Sequence, residues 1–499
     1  MRVPLAISLV LAAAIACSRP PRHAADLVIT RAAIWTGDSA KPAATAVAVI
    51  GDRIVDVGGG DDIERWRGAN TTVIDAGGRR LVPGFNDAHV HVVDGGAQLD
   101  SVDLRDAATR EEFARRIAER ARAKPGEWIL GGNWDDRQWT PAGPPTRALI
   151  DDASNSSPVF VVRYDGQMAL ANSAALGRAG VTERTADPPG GTLLRDANGP
   201  TGVLTGSAID IVARVIPAMT EEQRRHAVKR ALELAASFGV TSVQDMSATA
   251  EDIAVYADLA NRRELTARVY AVPVEAGWYD QAKLGVRRAF GSPWLRIGAV
   301  QGEAGAGVDH VNERRTRLMA ADHAGLQLCV DAIGDAGTPR ALDVLEAIIG
   351  ANGGRDRRSR IEHASRFAPA DVDRMAALNV MASVQPSAVP SIDGLRALTG
   401  KGVRLALGSG WPAAPLNPMV TLQAAALAQL TAAEALSAQT RGSTFAEFQE
   451  SEKGTIARGA LADMVILSDD ILSIPAARLT DVRVLTTMVG GKIVHQRNP

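Results

Sequence analysis

Residues 83–91 read Pro-Gly-Phe-Asn-Asp-Ala-His-Val-His, a short apolar run that ends in two histidines. Such a run is typical of a buried β-strand, in which side chains two positions apart lie on the same face. The imidazoles of His89 and His91 therefore point the same way, and we expect Asp87 on that face to orient a histidine or buttress the strand. Neutral imidazole is a good ligand for zinc. A bare His-x-His is a weak signal, but the full pattern is more specific and predicts a metal site at a strand end.

The chain beyond this strand alternates between strand-like and helical segments. Capping boxes at Thr109–Glu112 and Thr220–Gln223 mark helix starts, and strands are predicted at 240–244, 295–300, 326–333, 360–363, 380–384 and 403–407. Repeated strand–helix units imply a parallel sheet with right-handed crossovers. At this length we predict an α/β fold with a (β/α)8 TIM-type barrel, whose reactive groups lie at the C-terminal ends of its strands.

Both ends of the chain are rich in short strands. Hairpin signals stand at Gly51-Asp52 and Gly490-Gly491. We therefore predict one composite β-sandwich from residues 26–82 and 455–499, with the barrel at 83–454. Residues from about 130 to 215 fit the repeat poorly, and their Gly, Pro, Asn and Asp content predicts an inserted subdomain.

The first 17 residues have the features of an export signal. Arg2 precedes an apolar core, and Ala14-Ile15-Ala16-Cys17 resembles a bacterial lipobox. This resemblance implies cleavage before Cys17, lipidation of its thiol and a tether at 18–25. Ser18 after the cysteine favours the outer membrane, with the body facing the periplasm and touching the membrane through the anchor alone. A plain secretory signal remains the alternative.

The composition gives no reason to expect a nucleic acid as a partner. The formal net charge of the 499 residues is -2 and aromatic residues make up 4%, so neither electrostatics nor base stacking favours a nucleic acid. The only other cysteine is Cys329, which cannot form an internal disulfide with a lipidated Cys17. It lies in an apolar strand and is predicted to be a packed, inert thiol.

The chain resembles the amidohydrolase superfamily, in the branch often called amidohydrolase 3, which includes N-substituted formamide deformylases. The resemblance covers almost the whole mature chain and includes the following stretches beside residues 81–91: Gly126–Gly131, Pro145–Arg147, Pro200–Leu204, Ala332–Asp335, Ile361–Ala364, Leu405–Ser409 and Val489–Lys492. It implies a small-molecule amide-type substrate and a metal centre at the barrel mouth. In the family a His-x-His, a later carboxylated lysine and two strand histidines bind the metals, and an aspartate after the last strand accepts a proton.

Several of these positions are replaced in this chain. His89, His91 and His363 match the family's histidines, but Asp331 stands at the other strand histidine, Gln301 at the lysine and Gly410 at the aspartate. Gln167 and Gln244 replace two further histidines that are common in this branch. Gln301 cannot form a carbamate, so the resemblance implies at most one divalent metal, zinc being expected, held by His89, His91, His363 and Asp331.

Glu303 is the candidate to replace the missing proton acceptor, because it lies two residues after Gln301. A solvated loop carboxylate is the competing interpretation. Two functions remain open. One is an exported hydrolase of non-peptide C–N bonds in amides or formamides with a reduced site. The other is a catalytically inactive, lipid-anchored binding or scaffold protein. A cysteine-dependent enzyme is disfavoured, since no histidine is predicted near Cys329.

Overall fold

The computed structural model describes residues 24–497, apart from 155, 156, 305–310, 335 and 390. The predicted leader, the lipobox cysteine Cys17 and most of the tether lie outside the described residues and stay predictions. Asp335 of the Ala332–Asp335 stretch also lies outside them. In the described ranges, no helix is both long and apolar enough to cross a membrane.

Eight parallel strands surround the core. They are β1 (Phe85–Val90), β2 (Val240–Met246), β3 (Arg268–Val272), β4 (Ala299–Glu303), β5 (Gln327–Asp331), β6 (Arg360–Glu362), β7 (Met381–Val384) and β8 (Leu405–Leu407). Strands β1–β3 pair in one sheet and β4–β8 in another. Parallel bridges between Val274 and Gln301 and between Val90 and Trp411 join the two sheets at both seams. The strands therefore form one ring, and the predicted (β/α)8 fold class is confirmed.

The segment predicted as one strand at 295–300 is split. Leu295–Ile297 pairs with β3, whereas β4 starts at Ala299. Gly298 between them has a φ of +117°, and a Cβ there would lie 2.1 Å from the carbonyl oxygen of Arg287. The chain turns at this glycine because only glycine adopts that backbone without strain.

Helices of uneven length cover the outside of the ring. They span Val92–Leu99, Glu221–Ser237, Ala250–Asn261, Trp278–Lys283, Val311–His323, Gly337–Asn352, Pro369–Leu378, Leu395–Gly400, Pro418–Leu427, Ala432–Ser437 and Ser443–Ala446. Apart from Ser443–Ala446, these helices pack their apolar faces on the strands in one large buried cluster, which includes Leu232, Leu345 and Leu422. The predicted capping box of Thr220 and Gln223 is present at the start of Glu221–Ser237.

Strands from both chain ends form the predicted β-sandwich. One sheet contains Arg53–Gly58, Ala46–Ile50, Leu27–Thr30 and Thr72–Asp75; the other contains Lys492–Gln496, Val484–Val489, Met464–Leu467, Arg80–Pro83, Ala33–Trp35 and Ala43–Ala44. Ile29 and Val47 from the first sheet share a buried cluster with Leu81 and Met464 from the second. Burial between the sheets thus holds the two termini together.

The inserted subdomain has a sheet and a core of its own. The sheet contains Gly191–Asp196, Gly199–Gly206, Met168–Ala171, Val159–Arg163, Ile129–Trp134 and Val102–Asp103. Helix Arg110–Ala123 buries Phe113 and Ile117 in the same core as Trp134, and helices Ser173–Arg178 and Ile209–Ala213 complete the unit. The sheet and core therefore begin upstream of residue 130, where the insert was predicted to start.

Candidate functional site at the barrel mouth

The predicted metal and catalytic residues lie at one end of the barrel. His89 is on β1 and His91 follows it directly; Gln301 and Glu303 are on β4, Asp331 ends β5, His363 follows β6 and Gly410 follows β8. Parallel strands end together, so these positions meet at the C-terminal rim where TIM barrels carry their chemistry.

The three histidines gather at this rim. The ring centroids of His89 and His363 are 4.3 Å apart, and those of His89 and His91 are 5.5 Å apart. His89 is fully buried. His363 has a φ of +61°, a backbone conformation that is unusual outside glycine. The chain thus turns sharply at His363, where β6 ends.

The Nδ1 atom of each imidazole forms a hydrogen bond with an oxygen atom of the protein. Nδ1 of His89 lies 2.9 Å from Oε2 of Glu362, Nδ1 of His91 lies 3.0 Å from the carbonyl oxygen of Met246, and Nδ1 of His363 lies 2.9 Å from Oδ1 of Asp331. Because these partners accept hydrogen bonds, the neutral rings carry their proton on Nδ1 and their lone pair on Nε2. Nε2 of His89 is buried and has no hydrogen-bond partner among the described residues.

His89 forms a hydrogen bond with Glu362, which is part of a buried ion pair with Arg360. Nε of Arg360 donates to Oε1 of Glu362 over 2.6 Å, and all three side chains are fully buried. Burial raises the pKa of Glu362, but the charge of Arg360 and the hydrogen bond from His89 lower it more, to about 2. Burial lowers the pKa of His89. At neutral pH, Glu362 is therefore ionised and His89 is neutral.

Both carboxylate oxygens of Asp331 are engaged. Oδ1 accepts from His363, and Oδ2 accepts from Nε2 of Gln301 over 2.7 Å. The side-chain oxygen of Gln301 accepts in turn from the hydroxyl of Ser247 over 2.8 Å. Burial lowers the pKa of His363, while the hydrogen bond and charge of Asp331 raise it above its usual value. As a metal ligand, Asp331 would have to give up one of these bonds.

Glu303 lies on the same face of β4 as Gln301, since the two are two residues apart. Its Oε2 accepts from Nη1 of Arg314 over 2.8 Å, and its side chain is 36% exposed. Nε of Arg314 also lies 3.7 Å from a carboxylate oxygen of Glu275, so Arg314 links the end of β4 to the segment after β3. Glu303 is thus an ion-paired carboxylate that stays open to solvent.

The segment after β8 is built around glycines. A Cβ on Gly408 would lie 2.6 Å from the backbone nitrogen of His89, and Gly410 has a φ of +74°. A Cβ on Gly410 would lie 3.6 Å from Gln385, directly after β7. Oε1 of Gln385 accepts from the backbone N–H of His363 over 3.1 Å. Gln385 therefore fills space beside the position that lacks a side chain.

Sequence reasoning missed Arg360, Glu362 and Gln385 as site residues. Glu362 lies within the Ile361–Ala364 stretch, and polar residues at the ends of predicted barrel strands were the available signal. Asp87 has the expected buttressing contacts, because its Oδ1 accepts from the backbone N–H groups of His89 and Ser409.

Other predicted positions have separate roles. Gln244 accepts a hydrogen bond from Arg360, whereas Gln167 is exposed in a turn of the insert. Cys329 is buried, and burial raises its pKa to about 12, which agrees with an inert thiol.

The donor chemistry fits one metal ion better than two. Gln301 has no amine for a carboxylate bridge, and Gly410 has no side chain to ligate. Three imidazoles with oxygen partners on Nδ1 match the usual arrangement of metal-binding histidines. Their spacing does not match: in the part of the chain that is described, no group of three or more His, Cys, Asp or Glu side chains could hold a metal ion as placed.

An eight-stranded barrel with histidines at its C-terminal rim and a two-ended β-sandwich defines an amidohydrolase-type fold. The profile of the amidohydrolase family matches residues 72–495, and this chain belongs to that family. The chain is 33% identical to the protein LONG AFTER FAR-RED 3 of Arabidopsis thaliana, over 95% of this chain and 92% of that protein. It is 26% identical to an N-substituted formamide deformylase of Arthrobacter pascens, over 95% and 98%.

A solved structure shares the fold. An uncharacterised metal-dependent hydrolase from Pyrococcus horikoshii superimposes with a TM-score of 0.76 at 23% identity, covering 90% of this chain and 99% of that one. The family profile over residues 72–495 confirms the predicted family placement.

Proposed function

We propose that this protein hydrolyses a non-peptide C–N bond in an amide or formamide, using one divalent metal ion, zinc, held through Nε2 of His89, His91 and His363. The observation that carries the proposal is the common arrangement of the three imidazoles. Each has its Nδ1 on an oxygen acceptor, so in the neutral form of each ring the lone pair is on Nε2, at the same rim. The name of the Arthrobacter pascens relative supports the formamide class.

A metal ion held by His89, His91 and His363 would polarise the scissile carbonyl and activate water. The protein's own side chains would orient the histidines and accept the proton. Asp331 and Glu362 hold the proton of a histidine on Nδ1, and the rim excludes bulk water around the buried His89. Glu303 is the proposed proton acceptor, because it is the carboxylate on the mouth-facing side of β4 that remains open to solvent.

Metal analysis of the purified protein tests this proposal. We expect stoichiometric zinc, and hydrolysis of at least one member of a panel of N-substituted formamides, amides and cyclic amides. Both should be lost in the His89→Ala/His91→Ala variant. His226→Ala is the matched control, because His226 lies on an outer helix with a side chain that is 56% exposed. A loss of zinc in the control as well would contradict the assignment.

A second candidate, a non-catalytic binding protein on the amidohydrolase barrel, is favoured by one observation. Asp331, Gln301 and Ser247 satisfy one another through hydrogen bonds, and the described histidines and carboxylates as placed form no group that could hold an ion. A stably folded, metal-free protein that is inactive on the whole panel would support this candidate and exclude the first.

A further inference from the structure

Arg360 is a charged side chain inside the barrel. It is fully buried, although the interior of such barrels is mostly filled by branched apolar residues. Its Nε donates to Oε1 of Glu362 over 2.6 Å, its Nη2 donates to the carbonyl oxygen of Ala88 over 3.0 Å, and its Nη1 donates to the side chain of Gln244. Three strands, β1, β2 and β6, therefore fix the guanidinium in one place.

Glu362 in turn has only donors around its carboxylate. Oε1 accepts from Arg360, while Oε2 accepts from Nδ1 of His89 over 2.9 Å and from Nε2 of Gln385 over 3.4 Å. An ionised carboxylate accepts hydrogen bonds and donates none, so it suits every one of these contacts. A side-chain amide in the same place could not, because one of its two ends donates.

We propose that Arg360 is a positioning residue: it anchors the Glu362 carboxylate, which keeps the proton of His89 on Nδ1 and the lone pair on Nε2. The guanidinium is planar and remains charged, so it holds the carboxylate in orientation as well as in charge. This inference deepens the proposed function and rests on it for its metal readout. The tautomer of His89 tests it without any metal.

The variants follow from the contacts. Arg360→Met removes the anchor while keeping an apolar side chain of comparable length. Glu362→Gln keeps the shape, but its oxygen should turn to Arg360 and its NH2 group to His89. The proton of His89 would then move to Nε2, which removes the lone pair there. The double variant leaves no buried charge unpaired, and so provides a folded protein if a single variant fails to fold.

Arg268→Met is the matched control. Arg268 is 2% exposed and donates from Nε and Nη2 to Asp463 over 2.7 and 2.8 Å, so it also belongs to a buried, bidentate ion pair. It begins β3 and therefore lies at the opposite end of the barrel from His89. Its loss should weaken the fold without changing the histidine.

The test is long-range proton–nitrogen NMR of the metal-free protein labelled with 15N-histidine, with His89 assigned from His89→Gln, followed by zinc titration. We expect Nδ1–H in the wild type and in Arg268→Met, a mixture in Arg360→Met and Nε2–H in Glu362→Gln. Zinc affinity should fall about 10- to 100-fold in the last two.

An unchanged His89 tautomer in the folded Arg360→Met, Glu362→Gln or double variant would overturn the inference. An equal change in Arg268→Met would overturn it too, since any loosening of the barrel would then suffice. A wild type that binds no zinc would refute the proposed function alone, because the tautomer measurement still decides the role of Arg360.

Discussion

Asp331 and His363 are joined by a hydrogen bond of 2.9 Å between Oδ1 and Nδ1, and the second oxygen of Asp331 is taken by Gln301. In this arrangement Asp331 orients His363, and it could bind a metal only by giving up one of these hydrogen bonds. We predict that Asp331→Asn keeps one zinc per chain but binds it about 10- to 100-fold more weakly, as is usual when a partner of a ligating histidine is changed. His363→Ala should lose the metal altogether. Equal losses in a zinc titration of the two variants would instead make Asp331 a ligand.

Gly410 should resist restoration of the family's aspartate. Its φ of +74° disfavours any side chain, and an added Cβ would lie 3.3 Å from Cβ of Ala388. We predict that Gly410→Asp adds no hydrolytic activity and that Gly410→Ala lowers the free energy of unfolding by more than about 1 kcal/mol.

Gly402 provides the control for backbone strain. It has a φ of +76°, and no atom of the described residues lies within 4 Å of an added Cβ. Gly402→Ala should therefore lower the free energy of unfolding through backbone strain alone. Urea unfolding should show a larger decrease in this free energy for Gly410→Ala. A smaller loss at Gly410 would mean that Ala388 and Gln385 move aside readily.

Glu303 should matter for turnover more than for folding. Its carboxylate is partly exposed and paired with Arg314, so Glu303→Gln keeps the shape and removes only the proton-accepting charge. We predict that kcat falls about 100- to 10,000-fold on whichever panel substrate is hydrolysed. Glu346→Gln is the control, because Glu346 pairs with Arg374 on outer helices. Unchanged kcat in Glu303→Gln would leave Glu303 as a solvated carboxylate.

Asp245 should make stability depend on pH. It is a buried residue of β2 that accepts hydrogen bonds from the backbone N–H of Val92 and from the hydroxyl of Tyr256, and burial raises its pKa to about 7. The usual pKa is about 4, so between pH 4 and 7 the unfolded chain has released a proton that the folded protein keeps. Stability therefore falls as pH rises through this window and levels off above about pH 7.

Asp245→Asn removes this titration and keeps the shape. We predict that the variant gains roughly 1–3 kcal/mol relative to wild type between pH 5 and pH 8, as measured by urea unfolding at both values. A constant difference between the two proteins at both pH values would show that Asp245 is already ionised at pH 5.

The architecture was predictable because it depends on patterns that repeat along the chain. Alternating strands and helices, with glycine-marked hairpins at both ends, indicated the barrel and the two-ended sandwich. The position of His363 at the rim followed from the same logic. The upstream start of the insert was missed because Val102–Asp103 is too short to show a strand pattern.

The contacts within the site were less predictable, since they join residues far apart in sequence. Arg360 binds Gln244, and Glu362 binds His89, across 116 and 273 positions. A linear pattern shows that a strand ends in a charged residue; it does not show which partner that charge meets. The pairing of Asp331 with His363, across 32 positions, is of the same kind.

The two-ended sandwich also constrains how the polypeptide is made. Arg80–Pro83, which leads directly into β1, pairs with Met464–Leu467, so a strand that emerges early waits for one that emerges almost last. Nearly the whole chain has to be synthesised before these two strands can pair. During synthesis Arg80–Pro83 therefore lacks its partner strand Met464–Leu467. Pairing between strands so far apart in sequence is slow.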